Sequence, residues 1–293
     1  MRKIRVKFKN FWRDFDCYDN IFTDILGVKY DVVVSDDAEY VFTGDRNYRE
    51  NGKVNILYTG EPSNDIGVCD YYLSQYDTKA DNYVRFPLYL YYIRDFVKNG
   101  VIPGFDFFSS ERFFTGDDLS RKTGFCNFVC GGPLNGNGQY RDVFVKELMK
   151  YKRVDCPGTR FNNMPRLVGD SSDGLMASRY KRDFISRYKF TIGFENNSTK
   201  DGYDGYTSEK FIEPLVSNSM VIYWGNKYIS REFNTGSFVN FHDYEDMGKV
   251  INRIIELDNN DDEYMGVMRE KYVARNEYMD MDFLVSLFDK IIK

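Results

Sequence analysis

Four side chains around one stretch of the chain have the types and spacing to hold an anion. Asn196 follows the apolar run Phe190-Thr191-Ile192-Gly193-Phe194, and Tyr206, Glu209 and Lys210 come after a loop rich in Gly and Asp. The pattern predicts a strand ending at Phe194, a polar exit over Glu195 to Ser198, and a helix from Ser208 to about Ser217 with Thr207 as its N-cap. A loop entering a helix N-terminus just beyond a strand end is where α/β proteins hold phosphates. Lys210 in the first turn is slightly unfavourable with the helix dipole, and its position gains a reason if an anion sits there. The other reading is a solvated helix charge.

The remaining chemical signals are weaker. Asp14-Phe15-Asp16 and Asp280-Met281-Asp282 each spell DxD, a spacing suited to a divalent metal with a nucleotide diphosphate. With 45 acidic residues in the chain such triplets arise by chance, and solvated loop carboxylates are the better reading. Gly131 to Gly138 resembles a phosphate loop but lacks the GKS/T ending. His242 is the only histidine, so a Ser-His-Asp or Cys-His hydrolase is nearly excluded unless His242 is its base. It stands at a strand end, where a structural hydrogen bond is favoured over catalysis. Cys17, Cys69, Cys126, Cys130 and Cys156 are odd in number and form no CxxC pair, which indicates neither a disulfide framework nor a zinc site. Cys126 and Cys130 flank an apolar strand and read as small core residues.

The elements that must position these residues read as an α/β series. Strands are expected at Ile4–Phe8, Tyr30–Val34, Tyr40–Thr43 and Val54–Thr59, with helices at Asn20–Leu26 and Leu88–Val97. Asp70 to Tyr92 is aromatic and mostly resists assignment. Lys98 to Lys122, with Gly100, Pro103, Gly104 and Gly116, reads as a linker region. A second series follows: a strand at Phe125–Cys130, a helix at Arg141–Lys150 turning Val143, Phe144, Leu148 and Met149 to one side, and a strand at Arg153–Cys156. Ala177, Tyr180, Phe184 and Tyr188 recur at helical spacing, as do Met247 to Ile255 and, at the C-terminus, Leu284, Leu287, Phe288 and Ile291. Met220 to Gly225 is apolar enough to be a strand buried on both faces.

Composition narrows the partners. A net charge of −5 with no long basic block argues against nucleic acid. No apolar run approaches the roughly 20 residues of a membrane span, and Met1-Arg2-Lys3-Ile4-Arg5 runs directly into a strand, so a cytoplasmic protein is expected.

The order of four sub-motifs carries a family resemblance. Phe194-Glu195-Asn196-Asn197-Ser198, Gly205-Tyr206-Thr207-Ser208-Glu209-Lys210, Ile222-Tyr223-Trp224-Gly225 and Ser237-Phe238-Val239-Asn240 together resemble the signature block of the α1,3/4-fucosyltransferases, glycosyltransferase family ten. The bacterial members are the most similar. Weaker likeness extends upstream through Tyr58-Thr59-Gly60-Glu61-Pro62, Tyr83-Val84-Arg85-Phe86-Pro87, Phe125 to Val129 and Arg141. The resemblance implies an α/β fold of GT-B type, two Rossmann-like domains facing a central cleft. It also implies inverting transfer of L-fucose from GDP-fucose to a GlcNAc-containing acceptor, of LacNAc or Lewis type as in lipopolysaccharide or other surface glycans, with no obligatory metal and no cofactor. The family's GDP-binding positions fall on Arg141, Asn196, Tyr206, Glu209 and Lys210, and its proposed base on Glu61. On spacing alone Glu61 reads as a solvated turn glutamate, and the resemblance reverses that preference. Against the family pattern, Ser208 stands where many relatives place Thr or a small residue, and Lys200 to Asp204 lengthen the loop. Neither heptad repeats nor a basic amphipathic tail follow, which leaves peripheral membrane association and dimerisation open.

The expectation is therefore an acceptor-binding domain over 1–121, a GDP-fucose-binding domain over 122–273 and a helix over 274–293 that packs back on the first domain. Alternatives are a GT-B transferase using another nucleotide sugar, or a non-catalytic glycan-binding protein on the same fold.

Overall fold

The computed structural model describes residues 1–60, 65–76, 80–131, 138–167, 174–196 and 205–293. The chain divides into two compact units, Met1–Asp106 with Tyr203–Tyr206 and Asn276–Lys293, and Phe107–Gly202 with Thr207–Arg275.

The first unit runs β1 (Arg2–Lys9), α1 (Ile21–Gly27), β2 (Tyr30–Val34), β3 (Tyr40–Thr43), β4 (Val54–Leu57), β5 (Tyr71–Ser74), β6 (Tyr83–Arg85) and α2 (Tyr89–Lys98). Its six strands are all parallel, in the order β2-β1-β3-β4-β5-β6. β1 alternates, burying Ile4, Val6 and Phe8 against the core, whereas β3 is buried on both faces as a central parallel strand is. Asn20 caps α1 by a reciprocal box: its Oδ1 accepts from the Phe22 and Thr23 amides at 3.0 and 3.1 Å, and the Asn20 amide donates to Thr23 Oγ1. β5 and β6 occupy the aromatic stretch in which no strand was legible beyond the break at Pro87. Tyr72 is fully buried there, while Tyr71 and Tyr83 are half-buried.

The second unit runs α3 (Gly116–Ser120), β7 (Gly124–Asn127), α4 (Gly138–Met149), β8 (Val154–Asp155), α5 (Gly174–Ile185), β9 (Tyr188–Phe194), α6 (Glu209–Val216), β10 (Met220–Trp224), β11 (Val239–Asn240), α7 (Met247–Asn259) and α8 (Asp261–Arg269). Its five strands are again all parallel, in the order β11-β10-β9-β7-β8. The chain then rejoins the first unit through α9 (Met281–Ser286).

Several expectations shift. The break between units falls at Asp106 rather than at 121, because Phe108 and Phe114 seed the second core: the Phe108 carbonyl accepts from the Val273 amide at 3.0 Å, and the Phe114 ring lies 5.9 Å from that of Tyr264. α4 buries Phe144, Val145 and Leu148, while Val143 is 49% exposed. The spacing expected through Tyr188 runs past the end of α5, since Tyr188 opens β9. Phe288, beyond α9, packs within the first unit, its ring 6.3 Å from Phe42 and 6.2 Å from Phe86.

Candidate functional site

β9 ends at Phe194, and the next two side chains each take hold of a different element. Glu195 is fully buried, and its two oxygens accept from the Ser208 amide at 2.7 Å and the Ser208 hydroxyl at 2.6 Å. Asn196 Oδ1 accepts from Arg141 Nη1, on the first turn of α4, at 3.1 Å. Consecutive residues thus tie down the starts of α6 and α4 at the carboxyl edge of a parallel sheet.

Ser208, not Thr207, is the N-cap of α6: its Oγ accepts from the Lys210 amide at 3.3 Å. Thr207 Oγ1 instead accepts from Asn226 Nδ2 at 3.4 Å. Two glycines make this packing possible. A Cβ on Gly193 would lie 2.5 Å from the Lys210 carbonyl oxygen, and one on Gly225 would lie 2.5 Å from Glu195 Cγ. A strand glycine such as Gly193 marks close backbone approach.

The charges form one group. Lys210 Nζ is 3.0 Å from Glu209 Oε1, 3.4 Å from Ser208 Oγ and 3.9 Å from Glu195 Oε2. Lys181 of α5 pairs with Glu213 of α6. Burial works against the Lys210 ammonium, but Glu209 and Glu195 outweigh it and hold its pKa above the usual lysine value, with Arg141 opposing them. Burial also raises Glu209, yet Lys210 and Lys181 bring it down to about 2. Glu195 differs: burial pushes it up to about 7, against the pull of Lys210 and the Ser208 hydrogen bonds. Arg141 is 4% exposed, and its Nε is buried without a hydrogen-bond partner among the described residues. Such an orphaned donor beside a second cation is suited to an anionic oxygen.

Of the residues singled out in the sequence, Arg141, Asn196, Glu209 and Lys210 are thus brought together in the second unit. Tyr206 is buried and groups with the first unit, where the neighbouring Gly205 carbonyl accepts from Arg85 Nη2 at 3.4 Å. Glu61 lies outside the described residues, as do Asn197 to Asp204 of the lengthened loop. Gly132 to Asn137 of the glycine-rich loop are outside them too. His242 Nε2 is 3.2 Å from the Gly225 carbonyl, the structural bond expected of it. Asp16 accepts from the Tyr18 and Asp19 amides and Asp280 caps α9, so both are engaged in local turns. Among the described residues no group of three or more His, Cys, Asp or Glu is arranged to hold a metal ion. Sequence reasoning gave Glu195 no role, since it reads locally as a polar strand exit within the Phe194-to-Ser198 sub-motif; the signal of its burial is the pair of glycines, Gly193 and Gly225, that make room around it.

The model of glycosyltransferase family 10 (fucosyltransferase), C-terminal part, matches residues 128–282, more than half of the chain. The chain belongs to glycosyltransferase family 10. The model of the alpha-(1,3)-fucosyltransferase FucT N-terminal domain matches residues 6–92 of this family member. Alpha-(1,3)-fucosyltransferase FucT of Helicobacter pylori is 32% identical over 149 residues, 51% of this chain and 28% of that protein. Alpha-(1,3)-fucosyltransferase B of Drosophila melanogaster is 30% identical over 151 residues, 50% of this chain and 33% of its own length. The chain spans about a third of the length of these curated relatives. A crystal structure of an alpha1,3-fucosyltransferase with GDP-fucose superposes with a TM-score of 0.73 at 21% identity, covering 100% of this chain and 91% of that one. That likeness bears on the fold, and the α/β, GT-B-type fold expected for the family is the fold found.

Proposed function

We propose that this family 10 glycosyltransferase is an inverting α1,3-fucosyltransferase that moves L-fucose from GDP-fucose to a GlcNAc-containing glycan. The reading rests on one observation above the others: Arg141, whose buried Nε has no hydrogen-bond partner among the described residues, lies close enough to Lys210, at the start of α6, to oppose its charge. A diphosphate bridging them would relieve that opposition and satisfy the orphaned donor. Asn196 orients Arg141, Glu209 takes ribose hydroxyls, and Tyr206 completes the nucleotide contacts. Arg141, Lys210 and the start of α6 neutralise the charge that develops on the leaving GDP, so no divalent ion is required. Glu61, between Gly60 and Pro62, takes the proton of the acceptor hydroxyl as that hydroxyl attacks the anomeric carbon opposite GDP.

The test is transfer from GDP-fucose to an array of glycans, run beside other nucleotide sugars and repeated in EDTA. Transfer confined to GDP-fucose and surviving EDTA is expected. Transfer from another donor alone, GDP binding with neither transfer nor hydrolysis, or activity abolished by EDTA and restored by manganese would each overturn the corresponding part.

A further inference from the structure

Among the described residues, Glu195 is the carboxylate of the site with no exposure to solvent, and its nearest cation, Lys210, is the group expected to meet the donor's diphosphate. We propose that Glu195 is a positioning residue that exchanges its share of Lys210 for a proton when the diphosphate binds. This deepens the donor reading above and rests on it.

The geometry sets up the exchange. With its carboxylate charged, Glu195 accepts both Ser208 hydrogen bonds and stands 3.9 Å from Lys210 Nζ. When phosphate oxygens draw the ammonium toward themselves, the carboxylate is left buried beside a new negative charge. A buried charge that loses its partner is strongly disfavoured, and a carboxylate escapes that state by taking a proton. The protonated acid keeps both Ser208 contacts, since its carbonyl oxygen accepts from the amide and its hydroxyl meets Ser208 Oγ. The first turn of α6 therefore stays in place while the net charge facing the donor becomes more positive by one.

The surroundings favour a proton near neutrality. Burial already lifts the Glu195 pKa to about 7, helped by Glu209 and opposed by Lys210. Facing it are Ser208, Glu209 and Lys210 from α6, with Lys181 of α5 behind Glu209. Tyr223 of β10, whose hydroxyl burial holds well above the usual range, faces it from the sheet. Arg141 of α4 acts on the same Lys210, and His242, lowered by burial, bonds the carbonyl of Gly225. Among these, Glu195 is the group placed to titrate near neutrality, while burial moves His242 below the usual histidine range. Linkage fixes the sign: if binding takes up a proton, affinity rises as pH falls.

GDP-fucose is the suitable probe, because its diphosphate is a diester with no ionisation in this range. Calorimetry of the full chain at pH 6 to 8, in buffers of differing ionisation enthalpy, should show proton uptake that is small at pH 6 and approaches one proton toward pH 8, with an affinity gain of about fivefold to tenfold from pH 8 to pH 6. Glu195→Gln, which preserves the shape and both Ser208 contacts, should bind with no proton uptake from this position and a flattened pH profile. If Lys210→Ala weakens binding while Glu195→Gln keeps the wild-type slope and uptake, the proton exchange is wrong and the donor reading stands. If Lys210→Ala binds GDP-fucose as wild type does, the donor reading fails and takes the exchange with it. Should Glu195→Gln not fold, Ser208→Ala removes a donor that holds the carboxylate charged, and the fall in affinity should move to higher pH. An unmoved profile in that variant would overturn the proposal.

Discussion

At the residue scale, the second unit places each charge where opposite charges beside it decide its state against burial. Glu209 stays ionised far below neutrality because Lys210 and Lys181 flank it, and Lys210 keeps its proton because Glu209 and Glu195 outweigh its burial. If Lys210 meets the diphosphate, Lys210→Ala should weaken GDP binding by about 1.5 to 3 kcal/mol, the scale of a hydrogen bond to a charged group; calorimetry with GDP checks it, and an unchanged affinity would remove Lys210 from the site. Glu61 belongs to the chemistry rather than to nucleotide binding in the proposed mechanism. Loss of a positioned base costs about a hundredfold to ten-thousandfold in rate, so Glu61→Gln should lose turnover on that scale with GDP affinity nearly unchanged. Wild-type turnover in that variant would send the search for the base to Asp36, Asp37 and Glu39.

At the scale of elements, the site depends on how closely α6 approaches β9. Gly193 is the contact point, and Lys210 is the residue whose carbonyl lies over it. Gly193→Ala puts a methyl group 2.5 Å from that carbonyl oxygen and from Val221 Cγ2, two positions held by a helix and by the neighbouring strand. Overpacking of this kind costs about 1 to 3 kcal/mol. The variant should lose that much stability in a urea titration and bind GDP more weakly, because the shift displaces the first turn of α6. Pro214 adds a related constraint: it has no amide hydrogen, so the Lys210 carbonyl lacks its usual partner four residues on. The capping of α6 was legible in the sequence only to within one residue. Thr207 and Ser208 are chemically alike as caps, and what selects Ser208 is Glu195, thirteen positions earlier in the chain, which engages both the Ser208 amide and its hydroxyl.

At the scale of the molecule, the last residues belong to the unit formed by the first. Leu284, Phe288 and Ile291 are buried in that unit's core, with Phe288 among the rings of Phe42 and Phe86. Phe or Leu removed from a core costs about 2 to 5 kcal/mol apiece, so a chain ending at Arg275 should lose the first unit's cooperative fold. Hydrogen exchange would show protection lost in β3 and β6 and retained in β9 and β10. Equal loss in both units would argue that the two do not fold on separate cores.

What the sequence determined by itself was local and periodic. The alternation of Ile4, Val6 and Phe8, the two-sided apolar run from Met220 to Trp224, the Asn20 start of α1 and the order of the four sub-motifs around Lys210 are properties of neighbouring residues, so they survive without a fold. The tertiary structure decided what depends on distant partners. It placed the unit boundary at Asp106, because Phe108 and Phe114 find their contacts some 150 residues later, at Val273 and Tyr264. It turned Val143 outward and Val145 inward on α4, a rotation that helical spacing alone leaves free. Above all it buried Glu195, a residue that reads as a polar strand end until Gly193 and Gly225 bring a helix and a strand close enough to close over it.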